Sequence, residues 1–179
     1  AEKAAGQVRV VDSLNLSTGI GLLALRAAEL RDASRSAAEI EQDLLACVPK
    51  VRTAFMIDTM EYLYKGGRCN ALQALAGSVL KIHPIIEVRP DGTLGVKGKA
   101  RGLREKGLQM MLDDFAANLD QIDRRRIFVT HTACPDDAEF LKREIIRLAA
   151  PDEVRITLAG SVISSHCGPK TIGILYMLK

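Results

Sequence analysis

Apolar positions along this chain switch between a strand-like and a helical rhythm, and the alternation predicts the fold class. Residues 8–11 form a short apolar run that stops at Asp12-Ser13, the pattern of a buried strand and its exit loop. From Ser17 the apolar residues Ile20, Leu23, Ala27 and Leu30 recur at the spacing of one buried helix face. Ser36-Ala37-Ala38-Glu39 spells a capping box, in which hydroxyl and carboxylate satisfy the orphan amides of a helix start; that helix carries Ile40 and Leu44 and stops by Pro49. Residues 51–57 predict a buried strand and 59–64 a short helix halted at Gly66-Gly67, since glycine accepts the backbone a helix end needs. A further helix is predicted over 70–80. Strands at 82–88 and 93–99 are joined by the turn Pro90-Asp91-Gly92. A long amphipathic helix spans about 102–119, and 127–130 reads as a buried strand. Pro135 begins a helix whose first turn carries Asp136, Asp137 and Glu139 and whose core face is Ala138, Leu141, Ile145 and Leu148. Strands at 154–158 and 171–178 flank a loop rich in Gly, Ser, His and Pro. Strands alternating with helices imply an α/β protein.

Composition narrows the chemistry. The 179 residues are 47% hydrophobic and 26% charged with a net charge of +3, which is a globular rather than a disordered or strongly nucleic-acid-binding balance. Aromatic residues are scarce, 4 Phe, 3 Tyr and no Trp, so ligands held by stacking on aromatic platforms are disfavoured and an aliphatic ligand stays open. The basic runs Lys97, Lys99, Arg101, Arg104, Lys106 and Arg124 to Arg126 read as solvated faces. No apolar run approaches the roughly 20 residues a bilayer span needs, and no signal segment opens the chain. Cys47, Cys69, Cys134 and Cys167 are scattered without a C-x-x-C pair, which suggests neither a zinc site nor a disulfide framework and points to reduced thiols in the cytoplasm.

Several motifs carry possible chemistry. Gly19-Ile20-Gly21-Leu22-Leu23-Ala24 matches the dinucleotide string G-x-G-x-x-A, but its glycines do not follow directly from a strand and the expected downstream acid is missing from a strand end. Ser161, Ser164, Ser165 and His166 raise a small hydrolase or transferase as the alternative function, without the G-x-S-x-G elbow. Cys167 beside His166 is a poor nucleophile–base pair because adjacent residues seldom face each other. His131, between a strand and a proline-started helix, is expected to bond to the local turn. The segment 160–169 gathers hydroxyls, an imidazole and a glycine-proline bend, which suits either an anionic group or a tight structural crossing. Lys65-Gly66-Gly67-Arg68 is either a helix stop or an anion-binding corner.

These strings together resemble one family. Val10-Val11-Asp12-Ser13, then Asp58-Thr59-Met60-Glu61-Tyr62-Leu63-Tyr64-Lys65-Gly66-Gly67-Arg68, then residues 77–86 (G-S-V-L-K-I-H-P-I-I), and finally Gly160-Ser161-Val162-Ile163 with His166 and Gly168-Pro169, are similar in register to the DegV family of bacterial fatty-acid-binding proteins. The resemblance covers essentially the whole chain. It implies a DegV-like α/β fold of parallel and mixed sheets with packed helices. Residues 1–50 would be the remainder of an N-terminal α/β domain with a strand and two helices. Residues 51–158 would form a C-terminal α/β domain with the 89–99 hairpin, and residues 159–179 a loop and strand returning toward the N-terminal domain and the ligand headgroup. The T-D-S, T-S-Q-P-S and S-S-x-x-S-G-T segments that open family members are not in this sequence, so the resemblance implies the larger, C-terminal part of such a protein.

The resemblance further implies a non-catalytic lipid carrier that binds a long-chain, palmitate-like fatty acid in an aliphatic tunnel, serves lipid transport and metabolism, and presents the acid to a fatty-acid kinase. His166 matches the histidine near the ligand carboxylate, with Ser164, Ser165 and Lys170 as further donors. Gly66, Gly67 and Arg68 match the corner beside the acyl tunnel, and Arg101 a basic residue near the kinase surface. Ser164 and Lys170 stand where relatives usually have glycine, and Cys69-Asn70 replaces Ile-Ser. No cofactor, metal, nucleic acid or integral membrane contact is implied. The chemistry is consistent: a chain of about sixteen carbons gains roughly 0.8 kcal/mol per buried methylene, while its carboxylate needs several donors to be buried at all.

Overall fold

The computed structural model describes residues 8–67 and 82–179. Helix α1 spans Thr18–Asp32 and α2 spans Ala37–Cys47. A 3-10 turn, Val48–Lys50, then leads into strand β1, Val51–Met56. After β1 come α3 (Glu61–Lys65), β2 (Ile82–Val88), β3 (Leu94–Arg101), α4 (Arg104–Ala116), β4 (Ile127–His131), α5 (Pro135–Ala149), β5 (Val154–Leu158), α6 (Ser161–Cys167) and β6 (Ile172–Met177). The strands form one mixed six-stranded sheet in the order β3-β2-β1-β6-β4-β5. β4 and β5 run parallel, joined through α5, and the other neighbours are antiparallel.

The locally encoded elements form as their residues dictate. Ser36 Oγ accepts from the Glu39 amide, and the Glu39 carboxylate accepts from the Ser36 amide at 2.8 Å, closing the capping box of α2. The β2–β3 turn is held by Arg89 N–H donating to Thr93 O at 2.8 Å and by Gly92 at φ 81. α5 starts on Pro135 and buries Ala138, Leu141, Ile145 and Ala149.

Two segments differ from their predicted state. Residues 8–11 make no strand: Val8 and Val10 are 64% and 85% exposed, and no strand edge pairs with them among the described residues. The segment after Gly160 is not all loop, because Ser161–Cys167 closes two helical turns, beginning with Ser164 N–H donating to Gly160 O at 2.9 Å. Its Gly, Ser and Pro content masked a helix too short to show a period. The helix predicted over 70–80 lies outside the described residues.

β6 lies between β1 and β4 with all six residues buried, so it carries apolar side chains on both faces. Ile172, Ile174 and Tyr176 join Met56, Ile127 and Val129 beneath α4 and α5. There Phe115 meets Tyr176 edge-to-face at 5.3 Å. The opposite face is covered in two separate patches. At one end α1 and α2 pack Leu22, Leu23 and Leu44 on Val51, Phe128, Leu175 and Met177. At the other, α3 and α6 bring Leu63 and Cys167 to Phe55, Ile57 and Ile86. Between the patches the sheet presents Thr53, Thr130 and Gly173, small or hydroxylated residues where the covered positions are large and aliphatic. No helix among the described residues is long and apolar enough to cross a membrane.

Candidate functional site

The gap between the two patches is a pocket partly open to solvent. Thr53, Phe55, Thr130, Gly173 and Leu175 line it from the sheet, Leu16 and Ser17 from the start of α1, and Ile163 and Cys167 from α6. Its threonine hydroxyls are already committed. Thr53 donates to Asn15 Oδ1 at 2.8 Å, Thr130 Oγ1 lies 2.5 Å from Thr18 Oγ1 and 2.8 Å from Thr157 Oγ1, and Thr171 donates to Cys167 O at 3.0 Å. With these polar atoms paired to protein, the surface left to a ligand is almost wholly apolar. Burial pushes the Cys167 thiol up to about 11, which leaves it a wall residue rather than a nucleophile.

At one side of this pocket α3 and α6 interlock through two glycines. A methyl group at Gly66 would lie 2.3 Å from Nδ1 of His166, and one at Gly168 would lie 2.3 Å from the Tyr62 ring. The imidazole of α6 thus rests on the backbone at the end of α3, and an aromatic ring of α3 rests on the backbone that ends α6. Gly168 also has φ +80, which only glycine adopts without strain. The strings around Tyr62-Gly66 and His166-Gly168, a hundred residues apart, are two halves of one clasp.

His166 Nδ1 is buried and has no hydrogen-bond partner among the described residues. A buried ring nitrogen without a partner, at a helix end beside an apolar pocket, is a polar atom left unsatisfied by the described protein groups. The other expected headgroup residues are placed differently. Ser164 donates to Ala159 O at 3.2 Å and Ser165 to Val162 O at 3.0 Å, so both hydroxyls serve α6 itself. Lys170 is exposed and has φ 59, the left-handed conformation that glycine favours, so a lysine here carries backbone strain. Gly67 has φ +70, and a Cβ added there would meet nothing within 4 Å among the described residues. Arg68 lies outside the described residues, and Arg101 is an exposed residue at the end of β3. His131 bonds to its own turn, its Nδ1 accepting from the Cys134 amide at 3.2 Å.

A part-buried ionic cluster adjoins the clasp, and its geometry was not legible in the sequence. Arg104 donates to Asp137 Oδ2 and to Lys170 O, both at 2.7 Å, and lies 3.4 Å from Asp58 Oδ1. His83 Nδ1 stands 3.3 Å from the same Asp58 oxygen. Arg104 appeared only as one of a run of basic residues, and nothing in that run distinguishes a buried guanidinium from a solvated one. The pocket floor had a fainter signal: Thr53, Thr130 and Gly173 interrupt strands that are otherwise aliphatic.

Comparison with known proteins places this arrangement. The DegV family model, described as "Uncharacterised protein, DegV family", matches residues 1–179. A DegV domain-containing protein of Caldanaerobacter subterraneus is 31% identical over 95% of this chain and 60% of its own length. The solved structure of a fatty-acid-binding DegV family protein from Thermus thermophilus superposes with a TM-score of 0.90 at 30% identity, covering 99% of this chain and 63% of that one. A Streptococcus pneumoniae structure, described as the Fatty Acid Kinase B3 protein loaded with linoleic acid, shares the fold at a TM-score of 0.87 and 21% identity, covering 99% and 62%. The chain spans about three fifths of the length of the curated relatives it matches. With a family match along its entire length and a superimposable sheet, this chain belongs to the DegV family.

Proposed function

We propose that the protein binds a long-chain, palmitate-like fatty acid, with the carboxylate at His166 and the acyl chain in the pocket over Thr53, Phe55 and Gly173. The observation that carries this reading is the buried, unpartnered Nδ1 of His166 on the same helix whose Ile163 and Cys167 line an apolar pocket. Each end of a fatty acid meets what it requires. The methylenes gain roughly 0.8 kcal/mol apiece on leaving water, and an ionised carboxylate is tolerated only against a charged or strong donor. The Thermus relative's fatty-acid binding supports the ligand class.

The protein acts as a carrier rather than a catalyst. The Ser164 and Ser165 hydroxyls donate to backbone carbonyls instead of to His166, so the hydrolase alternative lacks its nucleophile–base contact. In this reading Gly66 and Gly67 shape the corner beside the ligand, Arg68 borders it, and Lys170 acts through its backbone. The fatty acid is held in the cytoplasm and presented to a kinase through a surface that includes Arg101, a role the streptococcal kinase-associated relative supports.

Affinity for palmitate, measured for His166→Ala and His83→Ala, tests the assignment. His166→Ala is expected to weaken binding the more. Equal losses in the two variants, or purified protein that neither retains nor binds any fatty acid, would overturn it.

A further inference from the structure

The first residue of α4 stands against two general preferences. Arg104 places a cation at the positive end of a helix dipole, and its side chain is only 15% exposed. Both costs are met by what the guanidinium joins. Nε reaches Asp137 in the first turn of α5, Nη2 reaches the carbonyl of Lys170, and Nη1 faces Asp58. These partners lie 33, 66 and 46 residues away in the chain, in three segments that are otherwise separate.

Two of those segments are the approaches to the clasp. Asp58 lies in the short link from β1 to α3, the helix that ends at Gly66 against His166. Lys170 lies in the link from α6 to β6, two residues after Gly168, the other clasp glycine, which itself follows His166 and Cys167. That link is strained at Lys170, φ 59, and its backbone is tethered by Lys170 N–H donating to Thr132 O at 2.7 Å and by Arg104 donating to Lys170 O. The planar fork of arginine suits this task and an ammonium does not, because several donors must point in fixed directions at once.

We infer that Arg104 is a positioning residue for ligand binding, its guanidinium fixing the α3 side of the clasp relative to the α6 side and so setting where His166 Nδ1 points. The inference rests on the assignment of His166 to the fatty-acid carboxylate. Arg104 itself does not touch the ligand, and it acts through His166.

A double-mutant cycle separates this role from general support of the fold. Palmitate affinity is measured calorimetrically for the wild type, Arg104→Lys, His166→Ala and the double variant. Arg104→Lys is expected to bind about tenfold more weakly, and the double variant no more weakly than His166→Ala alone, because a misplaced imidazole and a missing one cost the same bond. Asp137→Asn, which keeps the arginine and neutralises its Nε acceptor, is expected to lose less affinity in the same direction and likewise nothing further in the His166→Ala background. It carries the test if Arg104→Lys does not fold. Wild-type affinity in both Arg104→Lys and Asp137→Asn, or losses that multiply with that of His166→Ala, would overturn the positioning role while leaving the ligand assignment intact. A wild-type protein that does not bind palmitate would overturn the assignment and this inference with it.

Discussion

Replacing Gly66 by alanine puts one methyl group against the residue on which ligand binding is proposed to depend. The added carbon would lie 2.3 Å from His166 Nδ1 and 3.1 Å from Tyr62 O. The backbone accepts the change, since Gly66 has φ −79 and ψ −2, ordinary right-handed helical values. Losing the freedom of glycine in the unfolded chain stabilises by about 0.4–1 kcal/mol. The overlap costs about 1–3 kcal/mol unless it is relieved, and relief is available because a histidine side chain can swing. To restore a normal contact of roughly 3.5 Å the imidazole retreats by about 1 Å. Net stability therefore falls by no more than about 2.6 kcal/mol, a Tm shift on the order of 5–10 °C at most for a chain of this size. The effect on the ligand is larger. A hydrogen bond to a charged group is worth about 1.5–3 kcal/mol, so a misplaced Nδ1 weakens binding by roughly 10- to 150-fold. Displacement of a fluorescent fatty acid, run beside a thermal melt, reads both quantities. Wild-type affinity in a folded Gly66→Ala protein, with His166→Ala impaired, would refute the claim that this glycine sets the position of the imidazole.

Three further outcomes follow from the same geometry. Cys167, with its thiol pushed up to about 11 by burial, should react with iodoacetamide at pH 8 about 100-fold more slowly than an unfolded thiol, and more slowly still with palmitate bound; mass mapping of the labelled cysteine reads this, and indifference to palmitate would remove the acyl chain from that wall. Lys170→Gly should raise the Tm by about 2 °C, because the left-handed backbone costs a non-glycine residue about 1–2 kcal/mol and glycine returns only part of that as entropy; a lower Tm would contradict the strain argument. The hydrogen-bonded Arg26 guanidinium holds the Asp43 carboxyl below its ordinary 3.8. A depressed folded value stabilises above the unfolded one and is lost as pH falls through the folded one. Asp43→Asn should therefore cost about 0.5–1 kcal/mol near neutral pH and flatten the loss of stability below about pH 4; an unchanged acid limb in urea titrations would refute it.

Where a structural feature rests on groups a few residues apart, the sequence announced it. The Ser36/Glu39 capping box, the Pro90-Asp91-Gly92 turn and the proline start of α5 are closed by local bonds, and all three form as read. The errors fell where tertiary context outvoted local pattern. Residues 8–11 are apolar enough for a strand, yet no edge among the described residues receives them. Ser161–Cys167 looks like a turn, yet it coils against α3. Ser164 and Ser165 illustrate the same limit inside the site. Their hydroxyls were the right chemistry for a carboxylate, but a helix offers its own carbonyls first.

By itself, then, the sequence determined the α/β alternation, the aliphatic character of the interior and the segments whose strings resemble the DegV family, and it proposed His166. Only the tertiary structure decided that Tyr62 faces Gly168 while Gly66 faces His166, that Thr53 and Gly173 form a floor between two helical patches, and that Arg104 joins Asp58, Asp137 and Lys170. The physical reason is one of range. Capping, turn formation and periodicity act over a few residues and leave a mark in local order, whereas a clasp, a pocket floor or a buried guanidinium depends on distances set across strands by the packing of the whole sheet.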